Sequence, residues 1–177
     1  MKTETLKDPE GPLRIDQIEV VWIDDDNSSA DSLGEYSRVL KPGGIDRRER
    51  PEYQAHEHPF WNPGNYDPEH PEYALQDYER HEALGRGEWN YQGCVAKAVV
   101  SYPIGNGNRR LEFFSSGGLW GIESDSSPVY MTEVGVDQIN DLKQHLAHFG
   151  VPWGDVAAAV LRSEEVKLQA MHQELKS

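Results

Sequence analysis

The chain has 177 residues, a length typical of one domain, and its 31 acidic and 17 basic residues give a formal net charge of −14. A surface this acidic repels nucleic acid and anionic membranes, and it attracts basic protein surfaces, including those that hold DNA or RNA. The single cysteine, Cys94, excludes an intramolecular disulfide and every zinc site that needs two thiolates.

The composition also predicts a folded cytoplasmic protein. Five Trp and eight Tyr side chains indicate a packed core. No stretch approaches the roughly 20 apolar residues of a membrane-spanning helix, and the N-terminal residues lack the apolar core of a signal peptide. Residues 1–13 are polar, and we expect them to be a flexible lead-in to a single α+β domain over residues 14–177.

The first predicted element is a strand from Arg14 to Asp24. Its apolar residues alternate, which is typical of a strand. One face carries Ile18, Val20 and Trp22, and the other carries Ile15, Val21 and Ile23.

An acidic loop follows this strand. Asp24, Asp26, Ser28 and Glu35 stand at positions one, three, five and twelve of a calcium-binding EF-hand loop. The position that requires glycine holds a serine, however, and a strand rather than a helix precedes the loop. The pattern favours a solvated acidic loop.

Residues 31–72 show no clear periodicity and contain repeated prolines. We expect a long Pro-rich segment that wraps the surface and is held by Tyr53, Phe60, Trp61 and Tyr66. A helix is predicted next, with Pro71 in its first turn and Gly85 at its C-terminal cap. Its predicted inward residues are Tyr73, Ala74, Leu75, Tyr78 and Leu84.

The middle of the chain predicts a β-meander. The first strand runs from residue 88 to 102 with Cys94, Ala96, Ala98 and Val100 on one face. Asn106-Gly107 predicts a hairpin turn, residues 109–114 return, and residues 119–122 form a third strand.

The glycine-rich stretch Ser115-Ser116-Gly117-Gly118 raises the question of a phosphate-binding loop. Such a loop needs a lysine after its last glycine, and here acidic Glu123 and Asp125 follow instead. The stretch therefore predicts a bulge or turn between strands.

The C-terminal part predicts two helices. In the first, Ile139, Leu142, Leu146 and Phe149 follow Val136 at helical spacing, and Gly150 ends it. The second begins at Asp155 and reaches about residue 174, with a polar second half expected to fray. We therefore predict an α+β fold in which an antiparallel sheet of about four strands has two to three helices on one face.

Catalytic and metal-binding patterns are weak. The nucleophile motif Gly-x-Ser-x-Gly is absent from the sequence. Imidazole and carboxylate groups that could hold a divalent ion occur in two clusters, which are His56, His58 and His70, and Asp141, His145 and His148. Neither cluster matches a named motif, so we predict a protein that is not an enzyme and has no metal or other cofactor.

Three segments together resemble a known group. They are Leu33-Gly34-Glu35-Tyr36-Ser37, Gln76-Asp77-Tyr78-Glu79-Arg80 and Ser116-Gly117-Gly118-Leu119-Trp120-Gly121-Ile122-Glu123-Ser124-Asp125. The chain resembles a functionally uncharacterised group of small proteins that are encoded by phages, plasmids and other mobile elements. The resemblance implies a genomic setting and assigns no catalytic residue.

The favoured prediction is an acidic binding protein of a mobile element, located in the cytoplasm of the host cell. It would bind the basic surface of a nucleic-acid-handling protein as a DNA mimic, and so inhibit a host defence nuclease of the restriction or CRISPR type. It would not bind nucleic acid itself, and its oligomeric state is left open. The candidate partner-binding residues are Asp24, Asp25, Asp26, Asp31, Glu35, Phe60, Trp61, Glu123 and Asp125.

Two alternatives remain open. One is an interaction or regulatory module that binds through exposed aromatic side chains such as Phe60 and Trp61. The other is a metal-dependent enzyme that uses one of the two His clusters.

Overall fold

A computed structural model describes residues 13–51 and 57–153. Its strands are β1 (Arg14–Asp24), β2 (Gly34–Ser37), β3 (Ile45–Asp46), β4 (Phe60–Pro63), β5 (Tyr91–Gly105), β6 (Asn108–Ser115) and β7 (Leu119–Glu123). Its helices are α1 (Pro71–Gly85) and α2 (Pro128–His148). The antiparallel sheets and the helices confirm the predicted α+β class.

Contacts along the chain divide it into two compact units. Of the described residues, one unit joins those up to Asp25 with those from Gln92 onward, and the other comprises those from Asp26 to Tyr91. The single domain predicted over residues 14–177 stays a prediction. The predicted lead-in apart from residue 13, the side chains of Tyr53 and His56, and the predicted last helix lie outside the described residues.

The first unit contains a four-stranded sheet, here called the large sheet, in the order β1-β5-β6, with β7 also paired to β5. The face of β5 predicted from Cys94, Ala96, Ala98 and Val100 is confirmed, since these residues are at most 2% exposed. Three side chains of α2 pack on this face, and they are Ile139, Leu142 and Leu146. Small residues on β5 give the helix room to approach the sheet.

A bulge in β1 corrects the predicted alternation. Ile15 pairs with Val100 and Gln17 pairs with Val99, so the register shifts at the residue between Ile15 and Gln17. An extra residue in one strand reverses the side-chain alternation on one side of it. Ile15 consequently joins Ile18 in the core beneath α2, instead of lying on the opposite face.

The glycine-rich stretch is a break between two strands that both pair with β5. The Ala96 backbone N–H donates to the Ser116 hydroxyl at 3.0 Å, and that hydroxyl donates to Gln138 on α2 at 2.9 Å. The Ser116 N–H in turn donates to the Ala96 carbonyl at 2.8 Å. The buried serine thus completes the backbone pairing where the strand is interrupted, as the predicted bulge or turn requires.

The first C-terminal helix is longer than predicted. It begins at Pro128 behind a Ser127 cap, about two turns before Val136. Gly150 ends it as expected, with φ of +72° and with hydrogen bonds from Gly150 and Val151 back to Ala147 and Leu146. Phe149, which continues the apolar spacing of the helix, is 57% exposed.

The second unit contains a three-stranded sheet, here called the small sheet, in the order β2-β4-β3. It lies within the stretch that was predicted to wrap the surface without regular structure. Trp61 on β4 pairs with Tyr36 on one side and with Ile45 on the other. Strands of two to four residues are too short for their alternation to be recognised in the sequence.

The helix α1 has the predicted bounds but a different inward face. Ala74 and Tyr78 are buried as expected, whereas Tyr73 and Leu75 are exposed. Its cap also differs, since Gly87 rather than Gly85 adopts positive φ, at +72°. The N–H groups of Gly87 and Glu88 donate to the carbonyls of Leu84 and Ala83, which is the Schellman arrangement.

This cap predicts opposite effects for two neighbouring glycines. Gly87→Ala should lower the free energy of unfolding by about 1 kcal/mol, because alanine disfavours positive φ. Gly85→Ala should leave it unchanged or raise it by up to about 1 kcal/mol, because alanine favours a helix. A Cβ at either position meets no atom within 4 Å, so urea denaturation would measure the backbone effect alone. Equal effects of the two substitutions would contradict the cap assignment.

Candidate functional site

The large sheet has one face turned away from α2, here called the open face. Its position follows from the register, since Val99 pairs with Gln17 and Phe113, and Lys97 pairs with Glu19 and Ser115. Side chains at these positions alternate with those that face α2. The open face comprises Arg14, Gln17, Glu19, Val21 and Ile23 of β1, Gly93, Val95, Lys97, Val99 and Ser101 of β5, and Arg109, Leu111, Phe113 and Ser115 of β6.

Large apolar side chains of the open face are exposed. Phe113 is 78% exposed and Leu111 is 53% exposed. A groove of about 450 Å³ lies beside Phe113 and is bordered by Gln17, Glu19, Lys97 and Val99 among others. A sheet face that exposes adjacent apolar side chains beside a groove is typical of a contact surface.

The far end of the open face carries a tryptophan over a glycine. A Cβ added at Gly93 would overlap the Trp120 ring, so the ring lies directly on the strand backbone. Trp120 remains 48% exposed. Residues two apart in a regular strand lie on the same face. Gly121 has a φ of +75°, and this conformation lets the exposed Trp120 and the buried Ile122 lie on opposite faces.

Cations gather on the open face although the chain is acidic. The Arg14 and Arg109 guanidinium groups both donate to the Ser101 hydroxyl, at 3.2 and 3.0 Å, and Arg109 also reaches the Ser101 carbonyl at 2.8 Å. Lys97 lies four residues further along the same strand. Together these are three of the five Lys and Arg residues in residues 13–25 and 92–153. Asp16 pairs with Arg14 at 2.7 Å and offsets part of that charge.

The predicted acidic site is only partly assembled. Asp25 is 8% exposed and accepts a hydrogen bond from the Gly121 N–H at 3.0 Å, so it holds β7 to the end of β1. This contact brings the acidic loop close to the strand that ends at Glu123 and is followed by Asp125. Asp24 and Asp26 are exposed.

The other predicted binding residues lie in the second unit. Asp31 is exposed, and Glu35 forms an ion pair with Lys41 at 2.6 Å. The Phe60 ring lies 4.9 Å beneath the Arg48 guanidinium. Trp61 is fully buried, so the expectation that it is an exposed aromatic was wrong. The hydrophobic core of this unit needs its large ring, since β4 is the central strand of the small sheet.

A half-buried polar network joins α1 to the small sheet. The Tyr36 hydroxyl donates to Glu82 at 2.8 Å, and Arg47 pairs with the same carboxylate oxygen at 3.2 Å. The Trp61 indole N–H donates to Nδ1 of His81 at 2.7 Å. Tryptophan is only a donor, so Nδ1 carries no proton and His81 is neutral.

Burial explains the altered acidity in this network. Burial lowers the pKa of His81 below its ordinary value. It also raises the pKa of Tyr36, with the bond to Glu82 as a further cause. Such shifts accompany both catalytic sites and structural networks, and here every group bonds another element of the unit.

The two predicted His clusters show no metal geometry in the described residues. No group of three His, Cys, Asp or Glu side chains within residues 13–51 and 57–153 is placed to hold an ion. His70 stacks on Tyr73 and contacts Glu72. Asp141 accepts from the Gly117 N–H at 2.9 Å, and His145 contacts the Ser115 carbonyl at 2.9 Å, so both secure the strand break to α2.

Sequence reasoning missed the open face. In a strand, Leu111 and Phe113 lie on one face and Glu112 and Phe114 lie on the other, and the sequence left open which of the two phenylalanines faces the core. Only the packing of α2 determines which set is buried.

No family model, curated protein sequence or solved structure matches the chain. None of the helices in the described residues is long and apolar enough to cross a membrane.

The neutral state of His81 predicts an acid-sensitive fold. Because the folded-state pKa lies below the unfolded value of about 6.5, the unfolded chain takes up the proton first as the pH falls. The free energy of unfolding should therefore decrease as the pH drops through about 6.5 towards the folded pKa, and then level off for this group.

Urea denaturation at pH 7.5 and pH 5.5 would measure this decrease. In His81→Gln the amide oxygen can still accept from Trp61 and does not titrate, so the decrease should shrink. His70→Gln is the matched control at an exposed histidine and should behave as the wild type. An unchanged pH dependence in His81→Gln would contradict the assignment.

Proposed function

We propose that this protein is a non-enzymatic binding protein that recognises a partner protein through the open face of its large sheet. The observation that carries the proposal is Phe113, which is 78% exposed beside a groove on a sheet face. Exposed aromatic side chains next to a groove supply the central contacts of many interfaces.

This proposal modifies the interaction-module hypothesis. The hypothesis placed the aromatic contacts at Phe60 and Trp61, whereas Trp61 belongs to the core of the second unit. Phe113, Leu111 and Trp120 are exposed and take that role in the proposal. The absence of enzymatic activity is part of the same proposal, and it is supported by the structural role of the Tyr36, Glu82 and His81 network.

The open face predicts that Phe113→Ser abolishes partner capture. Losing the contact area of a phenyl ring costs about 2 kcal/mol, which is roughly a 30-fold loss of affinity. The exposed position of Phe113 makes the substitution harmless to folding. Tyr130→Ser is the matched control, because Tyr130 is an aromatic residue of α2 that is 44% exposed.

The measurement is affinity capture from host lysate by immobilised wild type and both variants, with quantitative mass spectrometry. A protein retained by the wild type and Tyr130→Ser and lost with Phe113→Ser is the expected result. Identical sets of proteins on all three columns would refute the open face as the recognition surface.

A second candidate function uses the acidic surface, as a mobile-element protein that imitates DNA to inhibit a host nuclease. The observation that favours it is a row of exposed carboxylates on α2, at Glu133, Asp137 and Asp141. Residues four apart on a helix project at intervals of about 6 Å along one side, so the row presents regularly spaced negative charge. A nuclease channel that binds phosphates would attract it.

The two candidates differ in their dependence on salt. If the carboxylate row binds the partner, neutralising Glu133→Gln with Asp137→Asn should weaken the captured complex by about tenfold at low salt and flatten its salt dependence. Asp141 is left unchanged because it bonds Gly117. If the open face binds, this double variant should retain its partner and only Phe113→Ser should lose it. Titration of the captured complex from 50 to 500 mM salt would separate the two results.

A further inference from the structure

The hairpin between β5 and β6 extends beyond the other strands of the large sheet. β1 begins opposite Ser101, where Arg14 pairs with it, so residues 102–110 form a ribbon of only two described strands. Within this ribbon, which the structure describes in full, no side chain is buried. A two-stranded hairpin without a covered apolar face is marginally stable in water. The end of the ribbon should therefore open locally far more often than the sheet itself.

The strand pairing is irregular close to the turn of this hairpin. The register shifts between Pro103 and Gly105, so the residue between them has no partner opposite it. Proline also has no N–H group to donate to the ladder. Gly105 pairs with Asn108, which leaves Asn106 and Gly107 as the two residues of the turn. The last regular pair before the turn is consequently held by few backbone hydrogen bonds.

Asn106 has an unfavourable backbone conformation at an exposed position. Its φ is +54°, and among the described residues it is the only one other than glycine with a positive φ. That conformation is disfavoured for a residue with a Cβ. A Cβ added at Gly107 would meet no atom within 4 Å, so the turn stands clear of the rest of the protein. Opening of the turn relieves the strain at Asn106 and meets no steric obstacle.

We propose that Asn106 is a site of spontaneous deamidation. When the turn opens, the backbone nitrogen of Gly107 loses its proton to hydroxide and attacks Cγ of the Asn106 side chain. The new C–N bond closes a cyclic imide, and the bond from Cγ to the side-chain nitrogen breaks. That nitrogen takes up a proton and leaves as ammonia.

Water completes the reaction by opening the imide ring. Cleavage of the bond from the ring nitrogen to Cγ gives aspartate at position 106. Cleavage of the bond from the same nitrogen to the main-chain carbonyl carbon gives isoaspartate, in which the main chain runs through Cβ. Hydroxide and water are the only co-reactants, and no group is oxidised or reduced.

The other six asparagines lack the conditions that Asn106 combines. A side chain on the following residue crowds the ring closure, and only Asn106 is followed by glycine. Asn108 is exposed in the same hairpin but precedes an arginine. Asn62 is 1% exposed and precedes a proline, whose nitrogen carries no proton. Asn140 lies within α2, where the hydrogen bonds of the helix hold its backbone.

Deamidation changes both the charge and the length of the turn. Either product replaces a neutral amide with a carboxylate in a chain of net charge −14. Isoaspartate also adds a methylene to the main chain of the turn. Because the length of a turn sets the register of its hairpin, Gly105 and Asn108 should no longer pair in that product.

The test is incubation of the full-length protein at pH 8 and 37 °C, folded in buffer and unfolded in guanidinium chloride. Tandem mass spectrometry of the tryptic peptide from Ala98 to Arg109 reports on both Asn106 and Asn108, so Asn108 is the internal control. Asn106 should convert while Asn108 stays intact. The rate in the folded protein should lie within about tenfold of the rate in the unfolded chain, since opening the ribbon costs about 1.4 kcal/mol or less.

Asn106→Gly is the matched variant, because Gly-Gly also suits this turn while the reacting amide is removed. The more acidic form that accumulates on anion exchange with the wild type should not appear with this variant. A folded-state rate more than about tenfold below the unfolded rate would refute the opening of the ribbon. An acidic form that accumulates equally in Asn106→Gly, or conversion of Asn108 at the rate of Asn106, would refute Asn106 as the site. These outcomes do not depend on partner capture by the open face.

Discussion

The strand β5 pairs with every other strand of the large sheet, and its alternation determines what each face of that sheet carries. On one face it places Cys94, Ala96 and Ala98, which are small enough for α2 to pack closely. On the other face it places Lys97, Val99 and Ser101, which pair with exposed positions of β1 and β6. The core and the proposed recognition surface are consequently two sides of the same 15-residue strand.

Polar groups hold the large sheet where its backbone pairing is irregular. At the break after β6 the Ser116 hydroxyl accepts the hydrogen bond from the Ala96 N–H that a strand partner would otherwise accept. The same hydroxyl donates to Gln138 of α2. Asp25 does the equivalent at β7 by accepting from Gly121. Residues that looked like a phosphate loop and a metal-binding loop therefore serve to close backbone hydrogen bonds, because buried N–H groups need acceptors.

Electrostatics gives the chain two surfaces of opposite character. Carboxylates dominate the exposed side of α2, which repels other polyanions and is the surface that the second candidate function uses. The open face carries Arg14, Lys97 and Arg109 beside exposed apolar side chains. Net charge alone indicated only the acidic surface, because it averages over the whole surface and conceals local groups of the opposite sign.

The sequence by itself determined the features that depend on near neighbours. These include the fold class, the bounds of α1, the Asn106-Gly107 hairpin, the Gly150 cap and the buried face of β5, since each follows from local backbone preference or from alternation within one strand. Tertiary structure decided the features that depend on distant partners. The small sheet joins residues far apart in the chain, the bulge in β1 brings Ile15 into the core, and the packing of α2 leaves Phe113 exposed while Phe114 is partly buried. Side-chain chemistry alone could not distinguish those two phenylalanines, because burial depends on which face another element covers.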